Sequence, residues 1–199
     1  LLLRAERDGE SDLVALSALD QVHRFFAGPW PALQRFVLLG AEHILAGFDH
    51  LLFLLTVLAA GAGWRYWLAV VTSFTAAHSL TLTLSVLGWV SVPPAVAEPL
   101  IAASIVLMAL DNLRQRQGGT ARRAALVFGC GLVHGLGFAT ALQKLGGTGS
   151  GRWVSLAGFN LGVELGQLLF VAVALGAAAL WRRLRPLHDP ARAVRFASI

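Results

Sequence analysis

Five stretches of the chain, at about 37–60, 66–89, 94–113, 124–143 and 154–181, are apolar and contain no lysine or arginine. Each is about as long as the roughly 20 residues an α-helix needs to cross a bilayer. Such runs leave few folds open. The 199 residues are 56% hydrophobic and only 14% charged, where a soluble domain averages about 25% charged, and mean hydropathy is +0.67. The expectation is an all-α membrane protein, a bundle of five transmembrane helices. The single cysteine, Cys130, excludes a disulfide framework and any CxxC-type zinc or redox site. A net charge of +5 would suit nucleic acid if it formed a patch. Instead the basic residues sit in short clusters between the apolar runs, as membrane-flanking residues do, so the expected partner is the lipid bilayer and not nucleic acid.

Those clusters also orient the chain. Arg65 separates spans one and two, Arg114, Arg116, Arg122 and Arg123 lie between three and four, and Arg182, Arg183 and Arg185 follow five. The loop around Ser91 to Ala95 has no basic residue, and the one from Lys144 to Arg152 has two. The positive-inside rule then puts the N-terminus outside and the C-terminus in the cytoplasm, with a bacterial inner membrane as the expected location. Trp30, Trp64, Trp67, Trp89, Trp153 and Trp181 fall at or near span ends, the headgroup level that indole prefers. Residues 1–35 read as an outer leader, either the end of a truncated segment or an interfacial helix, with a mildly amphipathic stretch from Leu13 to Phe26. Residues 36–182 form the five-helix domain and 183–199 a basic cytoplasmic tail.

Within the spans stand residues that cost free energy there. Glu42, Asp49, Glu98, Asp111 and Glu164 are intramembrane acids, and His43, His50, His78 and His134 are intramembrane imidazoles. A charged side chain at mid-bilayer costs about 2.5–3.5 kcal/mol on insertion scales. With no lysine or arginine inside the spans, these acids have no fixed protein cation to pair with. They must be protonated, bond to histidine or hydroxyl groups, or hold a mobile cation.

Depth and helical spacing sort them into groups. Counted along helices of 1.5 Å rise, Asp49, His50, His78, His134 and Glu164 share a central layer. Glu42, His43 and Glu98 lie nearer the outer face, and Asp111 and Asn112 at the inner end of span three. His43 and His50, seven apart, project within about 20° of each other on a continuous helix. Thr75, His78 and Ser79 share one face of span two, and Asn160, Glu164 and Gln167 one face of span five. These stripes read as the lining of one interior path. Gly131 and Gly135 in span four, and Gly158, Gly162 and Gly166 in span five, allow close helix packing. The expectation is that they press spans four and five together and hold His134 near Glu164.

Blander readings exist for single residues. A lone intramembrane histidine is often a hydrogen-bonded helix clasp, and Thr75, Ser79 and Thr81 would make His78 one. Glu98, after Pro93 and Pro94, would suit the positive end of a helix dipole. Asp111 and Asn112 would make an interfacial pair with Arg114, and Cys130 reads as a buried structural thiol.

Five segments carry a family resemblance: His43-Ile-Leu-Ala-Gly-Phe-Asp49-His50-Leu-Leu-Phe, Phe74-Thr-Ala-Ala-His78-Ser-Leu-Thr-Leu, Glu98-Pro-Leu-Ile-Ala-Ala-Ser104, Phe128-Gly-Cys-Gly-Leu-Val-His134-Gly-Leu-Gly-Phe-Ala, and Phe159-Asn-Leu-Gly-Val-Glu164-Leu-Gly-Gln167. From about residue 36 to 180 the chain resembles the HupE/UreJ family of proposed nickel permeases, found with hydrogenase and urease systems. The resemblance implies that His43, Asp49 and His50 are metal ligands, with His78, Glu98, His134 and Glu164 following from their own segments.

The functional expectation is a permease for a divalent transition metal, Ni²⁺ first, with Zn²⁺ and Co²⁺ as alternatives, since imidazole donors suit such ions. Glu42 and Glu98 would form the outer entry with His43. Asp49, His50, His78, His134 and Glu164 would replace hydration, Thr75, Ser79, Ser104, Asn160 and Gln167 would support them, and Asp111 with Asn112 would form the inner exit. The protein is not expected to be an enzyme. An intramembrane zinc-dependent hydrolase is the alternative, a non-transporting proton-relay or assembly subunit is a third reading, and a homo-oligomer stays open.

Overall fold

The first apolar stretch does not continue as one helix. In the computed structural model, which describes residues 2–7, 10–15, 29–60, 63–114, 119–137 and 150–184, it divides at Gly47. Helix α1 runs Pro29–Ala46 and helix α2 Phe48–Ala59, bent by 72°. The remaining helices are α3 (Trp64–Val86), α4 (Pro94–Leu113), α5 (Thr120–Gly137) and α6 (Ser150–Leu184). Three of these, α3, α4 and α6, are long and apolar enough to cross a membrane, and the bent α1–α2 pair makes a fourth crossing if it counts as one span. The expected fourth span, 124–143, runs past the end of α5 into 138–149, outside the described residues.

The six described helices bear out the helical architecture, and the leader adds one hairpin to it. Strands β1 (Leu2–Arg7) and β2 (Glu10–Ala15) pair antiparallel, from Leu2 opposite Ala15 to Arg7 opposite Glu10. Leu13–Ala15, expected to open an amphipathic helix, therefore lies in a strand. The rest of that stretch, and residues 185–199 of the tail, lie outside the described residues.

Local chemistry accounts for the boundaries. Pro94 opens α4, where a missing N–H costs nothing and the fixed φ suits a helix. Helix α3 closes with a Schellman turn: Gly88 adopts φ 78°, its N–H donates to the Ser85 carbonyl at 3.0 Å, and Trp89 N–H donates to Leu84 at 3.0 Å. Gly47 permits the break because a side chain there has no room. An added Cβ would stand 2.6 Å from His50 Nδ1 and 2.7 Å from the His43 carbonyl oxygen.

Glycines then set the packing, with partners other than those expected. Gly158, Gly162 and Gly166 of α6 meet α1, not α5. Their faces lie against Leu33 and Phe36, against Val37 and Ala41, and against Ala41 and Ile44 in turn, so α1 and α6 run parallel. Gly40 answers from α1, against the backbone of Phe159 and Val163. Gly131 and Gly135 of α5 lie against Phe74 and Ala77 and against His78 and Thr81 of α3, a second parallel pair. A Ser73 hydroxyl bond to the Ala124 carbonyl, 2.7 Å, ties that pair further.

Two apolar clusters result. Phe36, Ile44, Leu54, Leu82, Leu156, Phe159 and Val163 fill the α1–α6 side, and Phe53, Val57, Val70, Phe74, Met108, Val127 and Cys130 fill the α3–α5 side. Leucines such as Leu38, Leu55, Leu107 and Leu169 remain exposed on the outside, which suits a surface bathed in lipid.

An added methyl tests the interlock. In Gly162→Ala, Cβ meets the Val37 backbone, which cannot swing aside, whereas at Gly176 it meets nothing within 4 Å. Gly162→Ala is expected to cost about 1–3 kcal/mol by overpacking, and Gly176→Ala to be neutral or to add up to about 1 kcal/mol of helix stability. Unfolding in detergent checks both.

Candidate metal centre

The break at Gly47 brings His43, near the end of α1, and His50, in the first turn of α2, to a ring separation of 4.6 Å. Their sevenfold spacing predicts this neighbourhood, although the path between them is a kink and not a continuous stripe. His78 of α3 completes a triangle, 6.0 Å from the His43 ring and 6.4 Å from the His50 ring. One ligand atom from each of the three lies within 4.8 Å of the others. Nitrogens bound to one transition metal at about 2.1 Å stand at most about 4.2 Å apart, so a small side-chain rotation closes the set. His134 of α5 adjoins His50, with ring centres 5.1 Å apart.

The walls are aromatic. Phe74 stacks on His78 and meets His134 edge-on, Phe53 packs on His134, and Phe159 faces both His43 and His78. All three phenylalanines are almost fully buried. In this apolar box neither ring nitrogen of His50 or His78 makes a hydrogen bond, and Nδ1 of His134 makes none. Asn160 of α6 is the polar neighbour of His78. Buried polar atoms in native proteins are nearly always satisfied, so this group of unpartnered donors marks a site built for something else to complete.

The carboxylates stand elsewhere. Asp49 is exposed in the first turn of α2, where the helix dipole favours it, within electrostatic range of His50. Glu164, expected beside His134, accepts a hydrogen bond from Thr72 at 2.8 Å, because α6 packs on α1 and crosses α3 rather than lying along α5. Gln167 accepts from Thr75 at 3.0 Å, both buried. Glu42 and Glu98 are exposed. Glu42 and Arg35 border a surface cavity of about 420 Å³ on α1. Ser79 is half-buried on α3, while Ser104 is buried and bonds to His134 Nε2 at 2.9 Å.

Asp111 and Asn112 correct the expectation that the acids lack fixed cations. Arg122 and Arg123, in the first turn of α5, both pair with the Asp111 carboxylate, where Arg114 was the expected partner. Arg123, buried, also donates to the Asn112 side-chain oxygen, and Asn112 donates to the Thr56 carbonyl at 2.7 Å. The group clamps the ends of α2, α4 and α5 together. Helix α5 starts before the apolar run, which carries its arginines inward.

Sequence reasoning missed the helix break, the phenylalanine box and this clamp. Gly47 inside an apolar run and ahead of Asp49 was the available signal for the break. Nothing local marks the phenylalanines, because the contacts that matter join separate helices.

A helical membrane protein with a buried histidine cluster at a broken span is the class this geometry defines. The chain belongs to the HupE/UreJ family, a family of proposed nickel permeases: the family model described as HupE / UreJ protein matches residues 20–199. Comparison with curated proteins and with solved structures returned no match.

Removing one member of the clamp leaves a buried guanidinium without its counter-charge, which is strongly destabilising. Asp111→Asn is expected to lower the melting temperature in detergent by several degrees, and Asp111→Leu combined with Arg123→Met to recover part of the loss. An Asp111→Asn melt equal to the parent would contradict the clamp.

Proposed function

We propose that the protein carries a divalent transition-metal ion, Ni²⁺ first, across the bilayer, with His43, His50 and His78 as the central ligands. The observation that carries this reading is the group of buried imidazole nitrogens without hydrogen-bond partners on His50 and His78, next to His43 and beside a helix break. Imidazole suits nickel, zinc and copper alike, and the family favours nickel among them. Zn²⁺ and Co²⁺ are the expected competitors.

The register of α1 on α6 supports a mid-membrane position. Trp153 and Trp181 stand near the two ends of α6, about 42 Å apart at 1.5 Å per residue, and a bilayer with its headgroup regions is about 40–45 Å thick. Gln167 is midway between them. Ala41 lies against Gly166, so Glu42 and His43 sit at that middle level, and Trp30 comes level with the start of α6. Transporters commonly place their sites at the midplane on discontinuous helices. The two parallel pairs, α1 with α6 and α3 with α5, suit five alternating crossings in which α1–α2 counts once and α5 counts as one. By the positive-inside rule, the N-terminus is then outside.

In this reading Glu98, exposed near the start of α4, draws the cation toward the bundle, and His43, His50 and His78 replace its water. His134 stands next to His50 as a further donor, and Glu164 supports the wall through Thr72. Asp111 and Asn112 act on the inner side as part of the clamp with Arg123, which a cation must pass or displace. The broken span and the family's proposed role favour transport over the zinc-hydrolase alternative.

Uptake of radioactive nickel by proteoliposomes tests the proposal. His50→Ala is expected to lower uptake by about tenfold or more, since even loss of an outer partner of a ligand costs 10–100-fold in affinity. Unchanged uptake would defeat the assignment. Binding is also expected to weaken as the solution is acidified, because protons and metal compete for the same ring nitrogens. Titration calorimetry at two pH values reads that directly.

A further inference from the structure

Ser104 of α4 is buried, with its hydroxyl 2.7 Å from the Ile101 carbonyl oxygen and 2.9 Å from Nε2 of His134. A serine hydroxyl has one proton to give and a carbonyl only accepts. Bonding back to the carbonyl three residues earlier is the usual habit of a helical serine, and it uses that proton. The contact with His134 is then favourable in one sense only: Nε2–H donates and the Ser104 oxygen accepts. A neutral imidazole has a single N–H, so Nδ1 must carry the lone pair. That Nδ1 is buried without a hydrogen-bond partner, on a ring that is 1% exposed and 5.1 Å from the His50 ring.

We propose that Ser104 is a positioning residue: it locks His134 as the Nε2–H tautomer and so makes Nδ1 a fourth imidazole donor for the ion held at His43, His50 and His78. The donor role rests on the metal-carrying reading above, whereas the tautomer does not. Metal-bound histidines generally give their second ring N–H to an oxygen acceptor, which fixes the ring and raises its basicity. Here the acceptor comes from a different helix, so the packing of α4 on α5 decides how the α5 ligand presents itself.

Nitrogen NMR of the full chain in nanodiscs, labelled at histidine and free of metal, tests this, with the His134 signals assigned by their loss in His134→Asn. The parent is expected to show a protonated Nε2 and a bare Nδ1. Ser104→Ala is expected to give mixed tautomers and to weaken Ni²⁺ binding by about tenfold or more. Ser104→Thr, which keeps the hydroxyl and bonds back in the same way, is expected to restore both. A protonated Nδ1 in the parent overturns the proposal, as does a Ser104→Ala chain that keeps both the tautomer and the nickel affinity. Failure of the parent to bind Ni²⁺ overturns the donor role together with the metal reading, and is told apart from a wrong tautomer because the latter is read without metal.

Discussion

Imidazole nitrogens held in an apolar box without partners are the constraint around which this bundle is arranged. Taking a polar group out of water without a compensating bond costs a few kcal/mol, and His50 and His78 contribute four such atoms between them. A loosely packed bundle would relax this by letting the rings turn toward hydroxyls. Glycine contacts prevent it. With α1 pressed on α6 and α3 on α5 at backbone distance, the helices lack the slack to bring other acceptors in, while Phe53, Phe74 and Phe159 occupy the space that water would take.

Gly47 links this packing to the site. A continuous helix would put His43 and His50 about two turns apart, roughly 10 Å along the axis, too far to share an ion. Bending the chain by 72° brings the rings to 4.6 Å. The bend also turns the start of α2 toward solvent or lipid, which is why Asp49 is exposed while its neighbour His50 is buried. Adjacent residues in a straight helix differ by about 100° in direction, and here that difference separates a charge at the periphery from a neutral donor inside.

Much of this was legible in the residues, and the failures share a cause. Apolar run length gave α4 its correct bounds and α3 and α6 to within a few residues, because burial in lipid is a property of each segment alone. The sevenfold spacing of His43 and His50 foretold their neighbourhood, but counting depth along a straight helix set His43 apart in an outer group, because it does not see the bend at Gly47 that joins it to His50 and His78. Partner choice was not legible. Small-xxx-small spacing marks a packing face without naming the helix that fills it, so Gly158, Gly162 and Gly166 were matched with α5 instead of α1, and Glu164 was placed beside His134 instead of Thr72. Asp111 was misread for a related reason: whether Arg122 and Arg123 belong to a loop or to a helix end depends on where α5 starts, and apolarity does not report that.

A charge argument connects the site to its proposed work. Three or four neutral imidazoles would leave a bound dication with its full +2, since among the described residues no carboxylate belongs to the His43, His50 and His78 group. An ion so held is bound by coordination and not by neutralisation, and the low dielectric makes its uncompensated charge costly. A storage site would bring Asp49 or Glu164 into contact to cancel that charge. A conducting site must not hold its ion too well, because affinity that eases entry slows departure. In the proposed reading, neutral donors at the centre would offer a foothold in place of water without a deep electrostatic well. Asp49, beside His50 in sequence but turned outward, would then act on the ion from a distance rather than as a ligand, and the pairing of Asp111 with Arg122 and Arg123 would keep a second carboxylate from trapping it.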